Sequence, residues 1–516
     1  VAAGGASVVA YAQEWPLAGS PKLSAAVVGT GALAGFGILR SLLRPRVLAD
    51  VVARRGALVD ERPDWAKARY LGNYLLPPVW AEAVREVAVL LDLVEEARFR
   101  RTGVNGAQAS ITSLRLLAVV LSDSLTASKA PASFRWRDTP AELTVPDEDV
   151  PYFSRFANAA YGYLFCSAMG LVNDTTAEAL SRVATTSLDL ADRECMLSCT
   201  GHTPETLHIE SVAEYYGKIY SPKYYLLADH TRKAIVLALR GTSGLSDLFT
   251  DLDCRLTQVP GSEILGHSGI LRGATAVVDS VFPQLVSLCR ANPEYDLVVT
   301  GHSLGAGTAV LATVMLASKR GELGGDEQRN ILCYAFGGPP VLGTAPQEQK
   351  LDGLIGDTTQ FVSVFNGRDI VPRLSLWSAN RLLERIERLS AVPMHWTSRL
   401  KAVYWNGIDG LTKRERQQVL EALDLDAAPS DRETAVPMTN PLAVRLYHPN
   451  GKIIHTHRSK PDTCTHYHHH EADSFPHDIV VDIEARFLRD HMPNEYQSAI
   501  EQFKTSGPEP KADECS

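Results

Sequence analysis

The sequence predicts an α/β fold with a mostly parallel central sheet, preceded by a helical region. Short β-type runs, "YYLLA" from Tyr224, "AIVLAL" from Ala234, "DLVVT" from Asp296, "ILCYAFG" from Ile331 and "FVSVF" from Phe361, alternate with helical stretches. Strands of that length joined by helices imply parallel βαβ units. Up to about residue 130 the text is helical instead, with "WAEAVREVAVLLDLVEEARFR" placing apolar residues at three and four spacing. The chain of 516 residues, 45% apolar and 22% charged, is long enough for one large domain with substantial extras.

Read in order, an uncharged run from Leu23 to Leu39 comes first, interrupted by four glycines. It is short of the ~20 residues a spanning helix wants. It reads equally as a small-residue helix packed in the protein or as a membrane segment. In the second case Arg40, Arg44, Arg46, Arg54 and Arg55 put the following chain on the cytoplasmic side. The stretch "DTPAELTVPDEDVP" is a proline-broken acidic linker, so the expected boundary lies near 140. Residues 1–140 are then a helical region, membrane-associated if that run enters a bilayer, and residues 150–503 the α/β domain.

After Arg373 comes a long insertion, about 376–476, with the helical pieces "RLLERIERL" and "KRERQQVLEAL". It is expected to hold a hairpin, "AVRLYHPNGKIIHTH", turning at Asn450-Gly451. Ile479 to Val481 is expected as a strand, "NEYQSAIEQF" as a helix, and residues 504–516 as a disordered tail.

The formal charge of −9 and pI near 5.9 argue against a nucleic-acid partner. Eight scattered cysteines in so large a chain read as reduced thiols, and Cys195-x-x-x-Cys199 lacks the second pair of a tetrahedral metal site.

The chemistry concentrates in "VVTGHSLGAGTAVL", Val298 to Leu311. A Gly-x-Ser-x-Gly pentapeptide alone decides little. Here, however, Ser303 directly follows a strand and directly precedes an alanine- and leucine-rich helix. Strand, sharp turn and helix make a nucleophile elbow, in which Gly301 and Gly305 permit the tight turn and the close helix approach. Leu304 is placed to offer its backbone N–H to a developing oxyanion, while His302 reads as a filler of the variable position. A serine nucleophile needs a base and a group to orient it, and in an open parallel sheet both belong in loops at the carboxyl ends of strands. "FVSVF" runs into "NGRDIVPRL", which puts Asp369 in such a loop. His477 and His491 both satisfy the order Ser, Asp, His. The expected strand at Ile479 puts His477 at the wrong end, so His491 is preferred.

These segments resemble the class 3 lipases, the fungal-lipase-like branch of the α/β-hydrolases, and most of all the diacylglycerol lipases. The resemblance is carried by "ALRGTSGLSDLFTDL", "HSGI", "VVTGHSLGAG", "FGGPPVLG", "NGRDIVPRL" and "RDHMPNEY", with "YFSRFANAAYGY" similar to the helix that opens the catalytic domain. It implies an α/β-hydrolase in which Ser303, Asp369 and His491 are catalytic and Thr242 completes the oxyanion hole with Leu304. It implies lipid as substrate, met at a membrane or droplet surface, with no cofactor.

Leu245, Leu248, Phe249, Leu252 and Leu256 recur at three and four spacing between aspartates. That pattern fits an amphipathic lid over the serine, or a helix buried for good against the sheet. "CTHYHHH", Cys464 to His470, reads as a solvated loop, and no metal is expected. The reading is thus a serine esterase on acylglycerols. The rivals are a phospholipase A1 or galactolipid lipase, and a catalytically idle lipid-binding scaffold.

Overall fold

The computed structural model describes residues 87–91, 93–95, 98, 111–126, 148–210, 222–242, 255–324, 329–343, 358–423, 442, 444–460, 463–470 and 477–501, with backbone alone for 111, 123–126, 176, 457–460 and 463–470. All lie in the unit Glu61–Ser516. The uncharged run at Leu23–Leu39, most of the acidic linker, the carboxyl-terminal tail and the lid residues Leu245, Leu248, Phe249 and Leu252 fall outside the described residues.

The elements run α1 (Ile111–Thr126), α2 (Asp149–Ala159), α3 (Tyr163–Ala168), α4 (Thr176–Thr185), α5 (Leu188–Thr200), β1 (Leu207–Glu210), β2 (Tyr224–Asp229), β3 (Ala234–Leu239), β4 (Leu256–Gln258), β5 (Leu265–His267), α6 (Ser268–Ala291), β6 (Asp296–His302), α7 (Leu304–Ser318), β7 (Ile331–Phe336), β8 (Thr359–Asn366), α8 (Leu376–Ala391), α9 (Trp396–Lys401), α10 (Lys413–Leu423), β9 (Lys452–Lys460), β10 (Thr463–His470), α11 (Arg486–Arg489) and α12 (Pro493–Glu501).

Eight strands form the main sheet in the order β1-β2-β3-β6-β7-β8-β9-β10, and β4 pairs with β5 apart from it. From β3 to β9 every neighbour is parallel, and the flanking pairs β1–β2, β2–β3 and β9–β10 are antiparallel. This is the α/β-hydrolase architecture. The pleat of β3 sorts its residues between two layers, as a period of two requires. Ile235, Leu237 and Leu239 pack with α6 and α7, while Ala234, Val236 and Ala238 pack with α2, α5 and α12. Because both faces are covered, the central strands read as unbroken apolar runs, and that made them legible.

A third core lies apart from the sheet. Leu382, Leu383, Ile386 and Leu389 of α8 bury with Val419 and Leu423 of α10, Leu116 to Leu121 of the α1 region, and Val87 to Val94. The helical text before residue 130 therefore shares its core with the insertion. Ile370, Val371 and Leu374, just after Asp369, enter the same cluster.

Three local expectations are corrected. Residues Ile479 to Val481 form no strand. They are irregular backbone whose side chains are buried in the third core, so packing rather than a ladder explains their apolar pattern. No hairpin turns at Asn450-Gly451: β9 begins at Lys452 and joins β8 in parallel, while the antiparallel partner of β9 is β10. A Cβ on Gly451 would stand 2.5 Å from the Phe361 carbonyl oxygen, so the glycine serves the close entry of β9 beside β8. Finally, "CTHYHHH" is not a loop but most of β10, at the sheet edge, with His466 opposite His457 and His468 opposite His455.

An ion cluster pins the insertion to the segment ahead of His491. Asp478 accepts from Arg381 Nε at 2.8 Å and from the fully buried Arg385 Nη2 at 2.7 Å. Burial alone would raise the Asp478 pKa, but Arg385 and Arg381 outweigh it and hold the carboxyl below its usual range. Removing one partner of such a pair strands a buried charge. Asp478→Ala is therefore expected to lower the unfolding free energy by about 3–5 kcal/mol, measured by urea titration. A loss under about 1 kcal/mol would mean the arginines find water instead.

Candidate active site

Ser303 is the residue between β6 and α7, and its backbone is strained into φ 60°, ψ −128°. A non-glycine residue at positive φ persists only where its surroundings over-determine it. Here the surroundings are glycines. A Cβ on Gly305 would stand 2.4 Å from the Leu239 carbonyl oxygen, and one on Gly301 would stand 2.5 Å from the Gly305 backbone. With no side chain at either place, α7 starts hard against the end of β3. The Ser303 N–H donates to the Phe336 carbonyl at 2.9 Å, locking the turn to β7. Leu304 opens α7, and amides in a first helical turn lack a carbonyl four residues back.

The register aligns the carboxyl ends of four strands, with Leu239 beside Gly301, His302 beside Phe336 and Phe336 beside Val364. The loop after β8 carries Asp369 to this edge, and the turn between α11 and α12 carries His491. His491 Nε2 lies 2.9 Å from Ser303 Oγ, and its Nδ1 lies 2.9 Å from Asp369 Oδ2. Asp369 is further held by the Val371 N–H on Oδ1 at 2.9 Å and by the Tyr496 hydroxyl on Oδ2 at 2.6 Å. All three residues of the chain Ser303, His491 and Asp369 are buried. An imidazole bridging a hydroxyl and a carboxylate in this way can take the hydroxyl proton while its own charge is stabilised.

Thr242 follows Gly241, at which a Cβ would stand 2.4 Å from the His302 carbonyl oxygen. That close approach keeps Thr242 beside the elbow. His477 is not part of the cluster: it is buried beside the rings of Tyr447 and His448, and burial, with Arg445 and His448 adding repulsion, drives its pKa well below the ordinary histidine value.

Three residues that the sequence reading gave no role complete the site. His302 is buried with its ring centroid 4.9 Å from that of His491, and its Nδ1 is hydrogen-bonded to the Tyr161 hydroxyl at 2.8 Å. Burial and the neighbouring His491 drive its pKa well below the usual value, so it is neutral beside the imidazole that must become charged. Tyr161 arrives from the break between α2 and α3, inside the segment "YFSRFANAAYGY" whose resemblance assigned this residue no role. Tyr496 stands inside the segment "RDHMPNEY", and its hydroxyl also accepts from the Asn366 N–H at 3.1 Å. Glycine at 337 makes room, because a Cβ there would lie 2.8 Å from that hydroxyl and 3.0 Å from Asp369 Oδ2.

Against this geometry, residues 236–379 match the model of the family "Lipase (class 3)". Over that segment the chain is similar to the class 3 lipases. Its Ser303 and Asp369 lie inside the matched segment, and His491 lies beyond it. Among curated relatives the domain is similar to diacylglycerol lipase-beta of Mus musculus, 32% identical over 187 residues, covering 34% of this chain and 25% of that one. It is similar to diacylglycerol lipase-alpha of Homo sapiens, 28% identical over 279 residues, covering 50% of this chain and 24% of that one. It is also similar to the secreted mono- and diacylglycerol lipase A of Penicillium cyclopium, 31% identical, covering 35% and 57%. The chain thus spans about a quarter of the length of the diacylglycerol lipases it matches. Among solved structures, the Rhizomucor miehei lipase propeptide complex aligns over 72% of this chain and 91% of that one, at 16% identity and a TM-score of 0.40.

Beside His491, Asp490 accepts from the Arg368 N–H at 2.8 Å, and its carbonyl accepts from Asn366 Nδ2 at 3.0 Å, so it braces the loop that carries Asp369. Burial, helped by Asp482 and Glu495 and opposed by the Arg368 amide and Arg489, pushes its pKa up to about 7. A carboxyl raised in the folded state contributes stability in full below its unfolded pKa, and that contribution is lost as pH climbs through about 7. Asparagine keeps the acceptor without the charge. Asp490→Asn is expected to gain stability over the parent progressively from about pH 4 to about pH 7, by up to about 4 kcal/mol, read from thermal melts of both proteins. A difference that does not change with pH would put this carboxylate in water.

Proposed function

We propose that the chain is a serine lipase that hydrolyses acylglycerol esters, diacylglycerol or triacylglycerol, to free fatty acid. The observation that carries the proposal is the pair of 2.9 Å contacts that join Ser303 to His491 and His491 to Asp369 at a strained elbow. In this reading the Ser303 hydroxyl attacks the ester carbonyl as His491 takes its proton. His491 returns the proton to the departing alcohol, Asp369 holds the imidazolium, and water then releases the acyl group. The backbone amides of Thr242 and Leu304 stabilise the oxyanion. Nothing in this sequence of steps calls on a cofactor. The catalytic unit is residues 150–503, working at a membrane or droplet surface where acylglycerols gather.

The acylglycerol class is supported by the matched class 3 lipase segment and by the names of the relatives above. Because Ser303 is 2% exposed, a long acyl ester reaches it only if some part of the wall moves. The stripe of Leu245, Leu248, Phe249 and Leu252, directly after Thr242, suits such a lid.

Ser303→Ala and His491→Ala are each expected to lower ester hydrolysis on the order of 10⁴-fold, with folding intact by circular dichroism. His477→Ala should cost only a few-fold through stability. An active, folded Ser303→Ala protein would refute the nucleophile, and an active His491→Ala beside an inactive, folded His477→Ala would reassign the base. For the lid, Leu248→Ser with Phe249→Ser should depress turnover of emulsified long-chain substrate far more than that of a soluble short-chain ester. Equal losses would make the segment a permanently buried helix.

A further inference from the structure

The helix α9 and the π-helical turn that continues it, Ala402–Asn406, are apolar on two sides. Ala402 and Val403 are buried in the third core. Arg399 fastens the same side, donating to the Leu389 carbonyl at 3.1 Å and to Ser113 Oγ at 2.8 Å. The outward side carries Trp396, Tyr404 and Trp405, which are 65%, 48% and 73% exposed. Trp396, Leu400 and Tyr404 follow one another at four-residue steps, the spacing of a single helical stripe. Large aromatic side chains are seldom left so open. A helix that buries one apolar side in its own protein and presents another outward is built for contact with a second apolar phase.

The charges around the stripe indicate which phase. Lys401, Lys413 and Arg414 are exposed. Of the two acidic groups in the same stretch, Asp409 pairs with Arg416, while Glu415, held below its usual pKa by the Thr412 N–H at 2.9 Å, keeps its charge; five basic side chains still stand against two acidic ones over residues 396–416. The patch is therefore basic, on a chain whose formal charge is −9. Trp and Tyr, each an apolar ring with one polar N–H or O–H, favour the boundary between hydrocarbon and headgroups, and lysine and arginine beside them attract anionic lipid.

We propose that Trp396, Tyr404 and Trp405, with the exposed Lys401, Lys413 and Arg414 of the same stretch, dock this chain onto an anionic lipid bilayer. The proposal rests on the acylglycerol reading for its choice of a lipid surface over a protein partner. Through this patch the insertion holds the domain at the phase that contains its substrate.

Flotation of the full chain with phosphatidylcholine vesicles, with and without phosphatidylserine, tests it. Trp396→Ser with Trp405→Ser is expected to weaken vesicle binding about tenfold or more and to leave hydrolysis of a soluble short-chain ester unchanged, which also certifies the fold. Lys401→Glu with Lys413→Glu and Arg414→Glu should remove only the part of the binding that depends on phosphatidylserine and is lost in high salt. Binding of the double tryptophan variant equal to the parent's overturns the proposal. So does a parent dimer, seen by light scattering, that the tryptophan substitutions convert to monomer, because the patch then joins two copies. Ser303→Ala protein should dock like the parent. A chain inactive on every ester that still docks through these tryptophans would remove the hydrolase reading and leave the docking surface standing.

Discussion

The approach of α7 to the end of β3 is the constraint on which the site depends. Where Gly305 meets the Leu239 carbonyl oxygen there is no room for a methyl group, and Gly301 leaves none either. The chain must therefore reverse between His302 and Leu304 within one residue, and Ser303 takes the positive φ that this demands. Such strain is tolerable because the turn is tied down on both sides, by its own N–H on Phe336 and by a helix that is apolar all round and fully packed. Side-chain placement follows from backbone crowding. The hydroxyl stands at the sheet edge because nothing but hydrogen fits beneath it.

The same edge explains why residues 122 and 188 positions apart in sequence from one another meet within hydrogen-bond distance. Parallel strands in register end together, so loops that leave them start from one line. Asp369 has three donors and His491 has a partner at each nitrogen, which leaves neither side chain freedom to wander. Tyr161 and Tyr496 extend this order outward. One fixes the neutral His302 beside His491, and the other shares the Asp369 oxygen that His491 uses. The arrangement gives the carboxylate no slack and keeps a second positive charge away from the imidazole.

How much of this the sequence disclosed follows a physical line. The central strands were legible because burial on both faces leaves them uniformly apolar. Ser303 was legible because an elbow needs strand, glycines and helix in immediate succession. Elements whose pattern reflects something other than their own pairing misled. Ile479 to Val481 look like a strand because they are apolar, yet they fill the third core as irregular backbone. Asn450-Gly451 looks like a hairpin turn, yet the glycine clears the Phe361 carbonyl. The polar, histidine-rich β10 looks like a loop because an edge strand has only one neighbour to satisfy. Tyr161 and His302 lie 141 positions apart, and no local pattern can show that they meet.

The insertion gains meaning from the same packing. Ile370, Val371 and Leu374 follow Asp369 directly, and they bury in the core that α8, α10 and the α1 region build. Leu304, at the start of α7, packs against that core as well. The cluster around Asp478 then ties α8 to the segment that leads into α11 and His491. Each of the three chain segments that supply the site is thus braced on one side by the sheet and on the other by the insertion. A sheet alone fixes where strands end, but not where the loops beyond them settle. The third core supplies that second support, so the insertion belongs to the site's architecture as well as to its surface.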